Sequence, residues 1–205
     1  MGQSDQMKPD APATRRNRDA ILTVLKTEFV DATSVLEIGS GTGQHAVYFG
    51  GAMPNLEWQT SDRSENHAGI SLWLADKKLS NVKPPLTLDV TTMNRVSASY
   101  DAIFSANTAH IMSFSAVKKM FRLIGETLQV HGVFCLYGPF NMGGKFTSKS
   151  NEEFNQMLKR QNPEMGIRDL ETLNELALEN GLIVGNRYAM PANNMIVIWR
   201  QGARG

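Results

Sequence analysis

The stretch Ser34-Val-Leu-Glu-Ile-Gly-Ser-Gly-Thr-Gly43, continued by Gln44-His-Ala46, decides the architecture. A β-branched and apolar run stopped by glycine reads as a buried strand entering a tight turn, and a helix is expected from Gln44 onward. Glycines at such a junction permit the turn and let backbone amides approach a ligand. The spacing Gly39-x-Gly41-x-Gly43 departs from the dinucleotide fingerprint, because Gln44 stands where its third glycine would fall. Glu37, just before the first glycine, argues the same way: a carboxylate there repels a pyrophosphate but can organise a cationic ligand or its loop. A carrier of sulfonium and ammonium groups suits this loop better than NAD.

Outward from it the alternation continues. A helix is expected over Asn17 to Phe29, strands over Glu57 to Ser61, Leu86 to Val90, Asp101 to Ala106 and Gly132 to Tyr137, and helices over Glu65 to Leu79 and Ser115 to Gln129. In the Ser115 helix, Val117, Met120, Phe121, Ile124 and Leu128 form one apolar stripe, with Lys118, Lys119 and Glu126 left to water. A helix over Asp169 to Asn180 precedes two apolar runs, Leu182 to Tyr188 and Met195 to Trp199, joined by Met190-Pro-Ala-Asn-Asn194 as an antiparallel hairpin. The expected fold is therefore α/β, a mostly parallel sheet with one antiparallel strand at the C-terminal hairpin and helices on both faces. Residues 1–15 are expected to be a mobile arm, and 16–205 one domain.

Composition sets the outer limits. With 205 residues, a domain of this size buries roughly 70% of its unfolded surface and needs no staples. Lys plus Arg at 21 against Asp plus Glu at 20 leaves a formal net charge of +1, which offers no field for holding a polyanion, so no nucleic-acid partner is expected. The single cysteine, Cys135, excludes an internal disulfide and multi-cysteine metal sites, and is expected in the core. No apolar run approaches the roughly 18 residues of a membrane helix, and no signal-peptide core stands near Met1, so a cytoplasmic chain is expected.

Asp62 follows Glu37 by 25 residues at the end of the second expected strand, placed to accept both ribose hydroxyls of a nucleoside, with Arg63 beside it. Asp89 ends the third, where its carboxylate can take an adenine amino hydrogen while the Val90 amide meets a ring nitrogen. Each Asp alone is equally a turn former. With Glu37, Gly39, Ser40, Gly41 and Gly43 they converge on one ligand at the carboxyl ends of the strands.

Asn107 and His110 follow the fourth strand, where an imidazole can take a proton from a nucleophile or simply tether a loop. Tyr137-Gly-Pro-Phe-Asn141, continuing to Lys145, reads as a lid or substrate loop, or as plain surface. Arg168 offers a fork for a carboxylate or phosphate beside Asp169, a helix cap. Asn193 and Asn194 make a turn by propensity and can equally meet a substrate. Arg16 and Asn17 open the first helix, as a solvated start or as a cover over ligand.

These residues resemble a class I S-adenosylmethionine-dependent methyltransferase, with Val35 to Ala46 as its glycine motif and Asp62 and Asp89 at its acidic positions. More narrowly, Arg16-Asn17, Gly41-Thr-Gly-Gln-His-Ala46, Leu88-Asp-Val-Thr91, Asn107 with His110, Tyr137-Gly-Pro-Phe140, Gly166-Ile-Arg-Asp169 and Met190-Pro-Ala-Asn-Asn194 resemble the family of methyltransferase-like protein 26, domain of unknown function 938. The resemblance implies a seven-stranded sheet, S-adenosylmethionine as cofactor and S-adenosylhomocysteine as product, and names no substrate; the lack of a basic patch and of an appended recognition domain leads to the expectation of a small-molecule acceptor, and no metal is expected. Met165 and Asn155 depart from its pattern, which has an aromatic and an acidic residue there. No Asp or Asn followed by Pro-Pro and an aromatic is present, which weakens adenine and glutamine acceptors. A cofactor-binding sensor or partner subunit without transfer activity is the alternative from another class.

Overall fold

The computed structural model describes residues 7–93 and 96–203. From the N-terminus run α1 (Pro12–Glu28), β1 (Ser34–Ile38), α2 (Gln44–Ala52), β2 (Glu57–Asp62), α3 (His67–Lys77) and β3 (Val82–Thr87). Then come β4 (Tyr100–Ala106), α4 (Phe114–Thr127), β5 (Leu128–Gly138), β6 (Phe140–Met142), β7 (Lys145–Phe146) and α5 (Lys149–Gln161). Strand β8 (Arg168–Asp169), α6 (Leu170–Glu179), β9 (Leu182–Met190) and β10 (Asn194–Gln201) complete the order.

Seven strands form one sheet in the order β3-β2-β1-β4-β5-β10-β9. The first five are parallel, and β10 alone runs against its neighbours β5 and β9. The strand order reverses between β1 and β4, and in open α/β sheets a crevice for ligands forms outside the carboxyl ends at such a reversal. Because side chains alternate across a strand, β1 sends Leu36 and Ile38 to one face and Val35 to the other. The first face packs on the apolar stripe of α4 and on Leu170, Leu173 and Leu176 of α6. The second packs on Ile21 and Leu25 of α1 and Phe49 of α2, and it includes Cys135, whose thiol burial pushes well up.

Three expectations need correction. Helix α1 starts at Pro12 rather than Asn17, since proline is tolerated in a first turn that lacks amide partners anyway. The third strand is Val82–Thr87, not Leu86 to Val90: β3 is the sheet edge, where Pro84 and Pro85 cost no central ladder bond, and Leu88 and Val90 instead enter the α4-side core. Helix α5 and the small sheet β7-β6-β8 were not expected. Its signals were present: Ser148 caps the amide of Asn151, Glu152 lies in the first turn, Lys159 and Arg160 in the last, and Leu158 is buried inside. The arm expected over 1–15 falls partly outside the described residues. Within them, Trp73 Nε1 donates to the Pro9 carbonyl at 2.8 Å and Lys8 pairs with Asp76 at 2.8 Å. No helix among the described residues is long and apolar enough to cross a membrane.

Helix packing here sets opposite signs for two small changes. A Cβ at Gly125 would fall 2.4 Å from the Asn180 carbonyl oxygen, whereas one at Gly51 meets Leu79 at an ordinary 3.6 Å. Gly125→Ala is expected to lose about 1–3 kcal/mol by overpacking, and Gly51→Ala to gain up to about 1 kcal/mol of helix propensity. Urea unfolding of both variants checks this, and shifts of the same sign would contradict the packing described.

Candidate functional site

The turn after β1 is held from inside. Gly39, Gly41 and Gly43 all have positive φ, +75°, +57° and +86°. At Gly39 a side chain is excluded twice, by backbone and by space, since a Cβ would lie 2.7 Å from Thr108 Cγ2. At Gly41 a Cβ would meet nothing within 4 Å, so the loop's crest is open. Glu37 is 2% exposed, and its Oε2 accepts from Ser40 Oγ at 2.8 Å and Trp58 Nε1 at 3.1 Å. Burial raises its carboxyl from 4.5 to about 7, the two hydrogen bonds pulling down and the Asp62 charge pushing further up. Of its two expected roles, organising the loop is the one these contacts serve. Ser61 adds two more ties, its Oγ donating to the Glu37 carbonyl at 2.6 Å and its amide to Ser40 Oγ at 3.1 Å.

Asp62 closes the loop from β2. Its Oδ2 accepts from the Gly41 amide at 2.7 Å, and Oδ1 from the Arg63 amide and Asn66 Nδ2, each at 2.8 Å. A carboxylate offers about four acceptor sites, so one ribose hydroxyl fits beside these three donors and two would displace one. Arg63 pairs with Glu65 at 2.9 Å. Asp89 lies two residues past β3 and turns on itself, with Oδ1 accepting from the Thr91 hydroxyl at 2.6 Å and amide at 2.8 Å. Those bonds hold its carboxyl below the usual range. Val90 is buried.

Beyond the ends of β4 and β5 lies a cavity of about 820 Å³. Arg16, Asn17, Asn107, Tyr137, Asn193 and Asn194, from four separate sequence segments, all line it. Asn107 sits at φ +58° with its amide on the Tyr137 carbonyl, 2.9 Å. Asn17 Oδ1 lies 2.8 Å from His45 Nε2; an amide oxygen only accepts, so Nε2 carries the proton. Burial, then the Arg18 charge, lowers His45 from 6.5 to about 4 and keeps it neutral. Burial likewise pushes up the Tyr137 phenol, against its hydrogen bond with Asn17 and the Arg16 charge.

Other expected residues sit elsewhere. His110 is 6% exposed and is not among the lining residues; it packs edge-on against Phe154, which is, with ring centroids 5.3 Å apart. Burial, with Arg168 nearby, lowers it from 6.5 to about 4, so it is neutral at physiological pH and a weak proton acceptor. Arg168 does not present the expected free fork: it donates to the carbonyls of Ala109 at 3.0 Å, Glu164 at 2.9 Å and Met112, bracing the loop after β4. Asn141 lies in β6 with a buried Oδ1. The Gly143 and Gly144 amides donate to Glu171 and Asp169, so the stretch read as a lid is a hairpin tied to α6. Asn155 accepts from the Ile167 amide at 2.9 Å and does not line the cavity. Missed from sequence were Ser150, Asn151 and Phe154 of α5, whose capping signals would have revealed the helix but not where it docks.

A family model described as "Protein of unknown function (DUF938)" matches residues 8–201. Among solved structures, the S-adenosylmethionine-dependent methyltransferase SibL in its apo form aligns with a TM-score of 0.79 at 19% identity, over 93% of this chain and 56% of that one. Human N-acetylserotonin methyltransferase in complex with SAM gives 0.80 at 13%, over 93% and 53%. PigF with SAH gives 0.76 at 12%, over 88% and 54%. The chain spans about half the length of these proteins and shares their Rossmann-like methyltransferase fold.

The buried Glu37 has a pH signature. Its carboxyl binds a proton more readily folded than unfolded, so its stabilisation is complete below 4.5 and is lost as pH rises through about 7. Glu37→Gln keeps an acceptor oxygen and does not titrate. Its stability relative to wild type is expected to rise by roughly 2–3 kcal/mol between about pH 5 and about pH 8 in urea unfolding. The opposite trend from neutral His45 and His110 is common to both proteins and cancels. A constant difference across that window would contradict the raised carboxyl.

Proposed function

We propose that this chain, which belongs to the DUF938 family of proteins of unknown function, is an S-adenosylmethionine-dependent methyltransferase acting on a small molecule. The observation that carries the reading is a glycine turn with an open crest at the sheet's reversal, tied by Asp62 at the end of β2, with a cavity past the ends of β4 and β5. The open crest at Gly41 leaves room for a ligand against the backbone, so the residues present fit a nucleoside cofactor. Gly39 to Gly43, Asp62 and Asp89 would hold it, and Arg63, Val90 and Asn107 flank it in this reading. S-adenosylmethionine, when bound, supplies a methyl group on a positively charged sulfur. The resemblance of the motifs from Arg16-Asn17 to Met190-Pro-Ala-Asn-Asn194 to the family of methyltransferase-like protein 26 supports the reading.

The chain's own part is then positioning and exclusion of water. Asn17 is oriented by His45 and Tyr137 by Asn17, and the backbone of Asn107 is held on β5, so part of the cavity is built from side chains whose directions are already set. In this reading Asn107 touches the reacting groups, while His110 steadies Phe154 and the loop rather than removing a proton. The near-zero net charge, with Arg16 as the one charged residue among the described residues lining the cavity, suits a cytoplasmic enzyme of small molecules rather than of nucleic acid.

A second reading, a binding protein without transfer activity, is favoured by one fact: among the described residues lining the cavity there is no Asp, Glu or His to act as a general base. Methyl transfer to any component of a cell extract excludes it.

Calorimetric titration with S-adenosylhomocysteine and S-adenosylmethionine tests the proposal. Wild type is expected to bind both, and Asp62→Ala and Asp89→Ala each to lose about 1–3 kcal/mol, the cost of removing a buried or charged acceptor. NADH is expected not to bind. Absence of binding by folded wild-type protein would overturn the methyltransferase reading.

A further inference from the structure

The lining of the cavity beyond β4 and β5 holds two chemically different sets of groups. From α1 comes Arg16, which no carboxylate of the described residues pairs with, next to Asn17, whose oxygen is committed to His45 and whose Nδ2 keeps one hydrogen to donate beyond its bond to the Tyr137 phenol. From α5 and the turn before β10, two lining amides, Asn151 and Asn194, already use their hydrogens, while Asn193 Nδ2 gives one to Ser150 Oγ at 3.0 Å. Asn151 Nδ2 donates to Thr147 Oγ1 at 2.9 Å and to the Asn193 carbonyl at 3.0 Å. Asn194 Nδ2 donates to the carbonyls of Pro191 and Ala192 at 3.1 and 3.2 Å. What Asn151 and Asn194 can still offer a ligand is therefore the oxygen, an acceptor. Phe154, Pro139 and Pro191 add apolar surface to the lining for the body of a ligand.

We infer that the molecule bound here is a small organic carboxylate that also carries an O–H or N–H donor, its carboxylate toward Arg16 and Asn17 and its donor toward Asn151 and Asn194. A guanidinium fork matches a carboxylate in both charge and geometry. Among the described residues no acidic side chain lines the cavity to repel that carboxylate or to pair with Arg16 in its place. A cationic amine would meet the Arg16 charge with no carboxylate to offset it, and a wholly apolar ligand would strand the amide oxygens. This inference rests on the methyltransferase reading, of which it names the acceptor class.

The test uses three matched probes on the full chain saturated with S-adenosylhomocysteine: 4-hydroxyphenylacetate, phenylacetate, and 4-hydroxyphenylacetamide. The hydroxy acid is expected to bind best, with the neutral amide weaker by at least about tenfold and the acid lacking the hydroxyl weaker by several-fold. Arg16→Gln is expected to abolish the preference for carboxylate over amide while S-adenosylhomocysteine affinity holds. Equal affinity of acid and amide, or no binding of any probe up to about 10 mM, overturns the inference. A loss of S-adenosylhomocysteine affinity in Arg16→Gln, with 5′-methylthioadenosine unaffected, also overturns it, by assigning Arg16 to the cofactor's own carboxylate. Failure of wild type to bind S-adenosylhomocysteine at all instead strikes the parent reading.

Discussion

The side chain of Glu37 is the point on which the site's geometry turns. A carboxyl taken out of water must be hydrogen-bonded or protonated, and here both answers are in play: two donors on one oxygen, and a pKa raised to about 7. Through Ser40 it sets the glycine turn, and through Trp58 it ties β1 to β2 across the α1-side core. Asp62 repeats the arrangement one strand over by taking the Gly41 amide. The loop is thus clamped beneath while its crest stays open, which is the condition for a backbone surface that meets a ligand without reorganising.

A second set of contacts ties the ends of β1 and β4. Ser105 Oγ donates to the Ile38 carbonyl at 2.7 Å and meets Thr108 Oγ1 at 2.7 Å, which presses the Thr108 methyl against Gly39. The turn carrying Asn107 and His110 is therefore buttressed by the glycine loop rather than free beside it. Arg168 holds the far side of the same turn by its backbone carbonyls. Gln44, which breaks the dinucleotide spacing, has its own structural use: its side chain takes the Ala11 amide at 2.6 Å and gives a hydrogen bond to Asp10 at 2.9 Å, fastening the segment before α1 to the start of α2.

How far the sequence could be read depended on whether a signal was local. Strand β1, helix α4 with its one-sided stripe, and the α6 cap at Asp169 follow from periodicity and capping chemistry, and they appear within a residue or two of expectation. The third strand was misjudged because the apolar run Leu86 to Val90 looked like a better strand than one containing Pro84 and Pro85. Whether proline is admissible depends on edge position, a property of the sheet and not of the segment. Arg168 was read as a free fork for the same reason: the carbonyls that occupy it come from Ala109 and Met112, far away in the chain.

By itself the sequence determined the α/β class, the central strand, the glycine turn and Asp62 at the end of β2, because each rests on backbone preference or on periodicity over a few residues. Only the tertiary structure decided that Arg16, Asn17, Asn107, Tyr137, Asn151 and Asn194 face one cavity and that His110 does not. It also decided which atoms of those amides remain to meet a ligand. The reason is physical: a hydrogen bond commits a group irrespective of sequence distance, and partners such as His45 for Asn17 or Asn193 for Asn151 exist only once the chain has closed on itself.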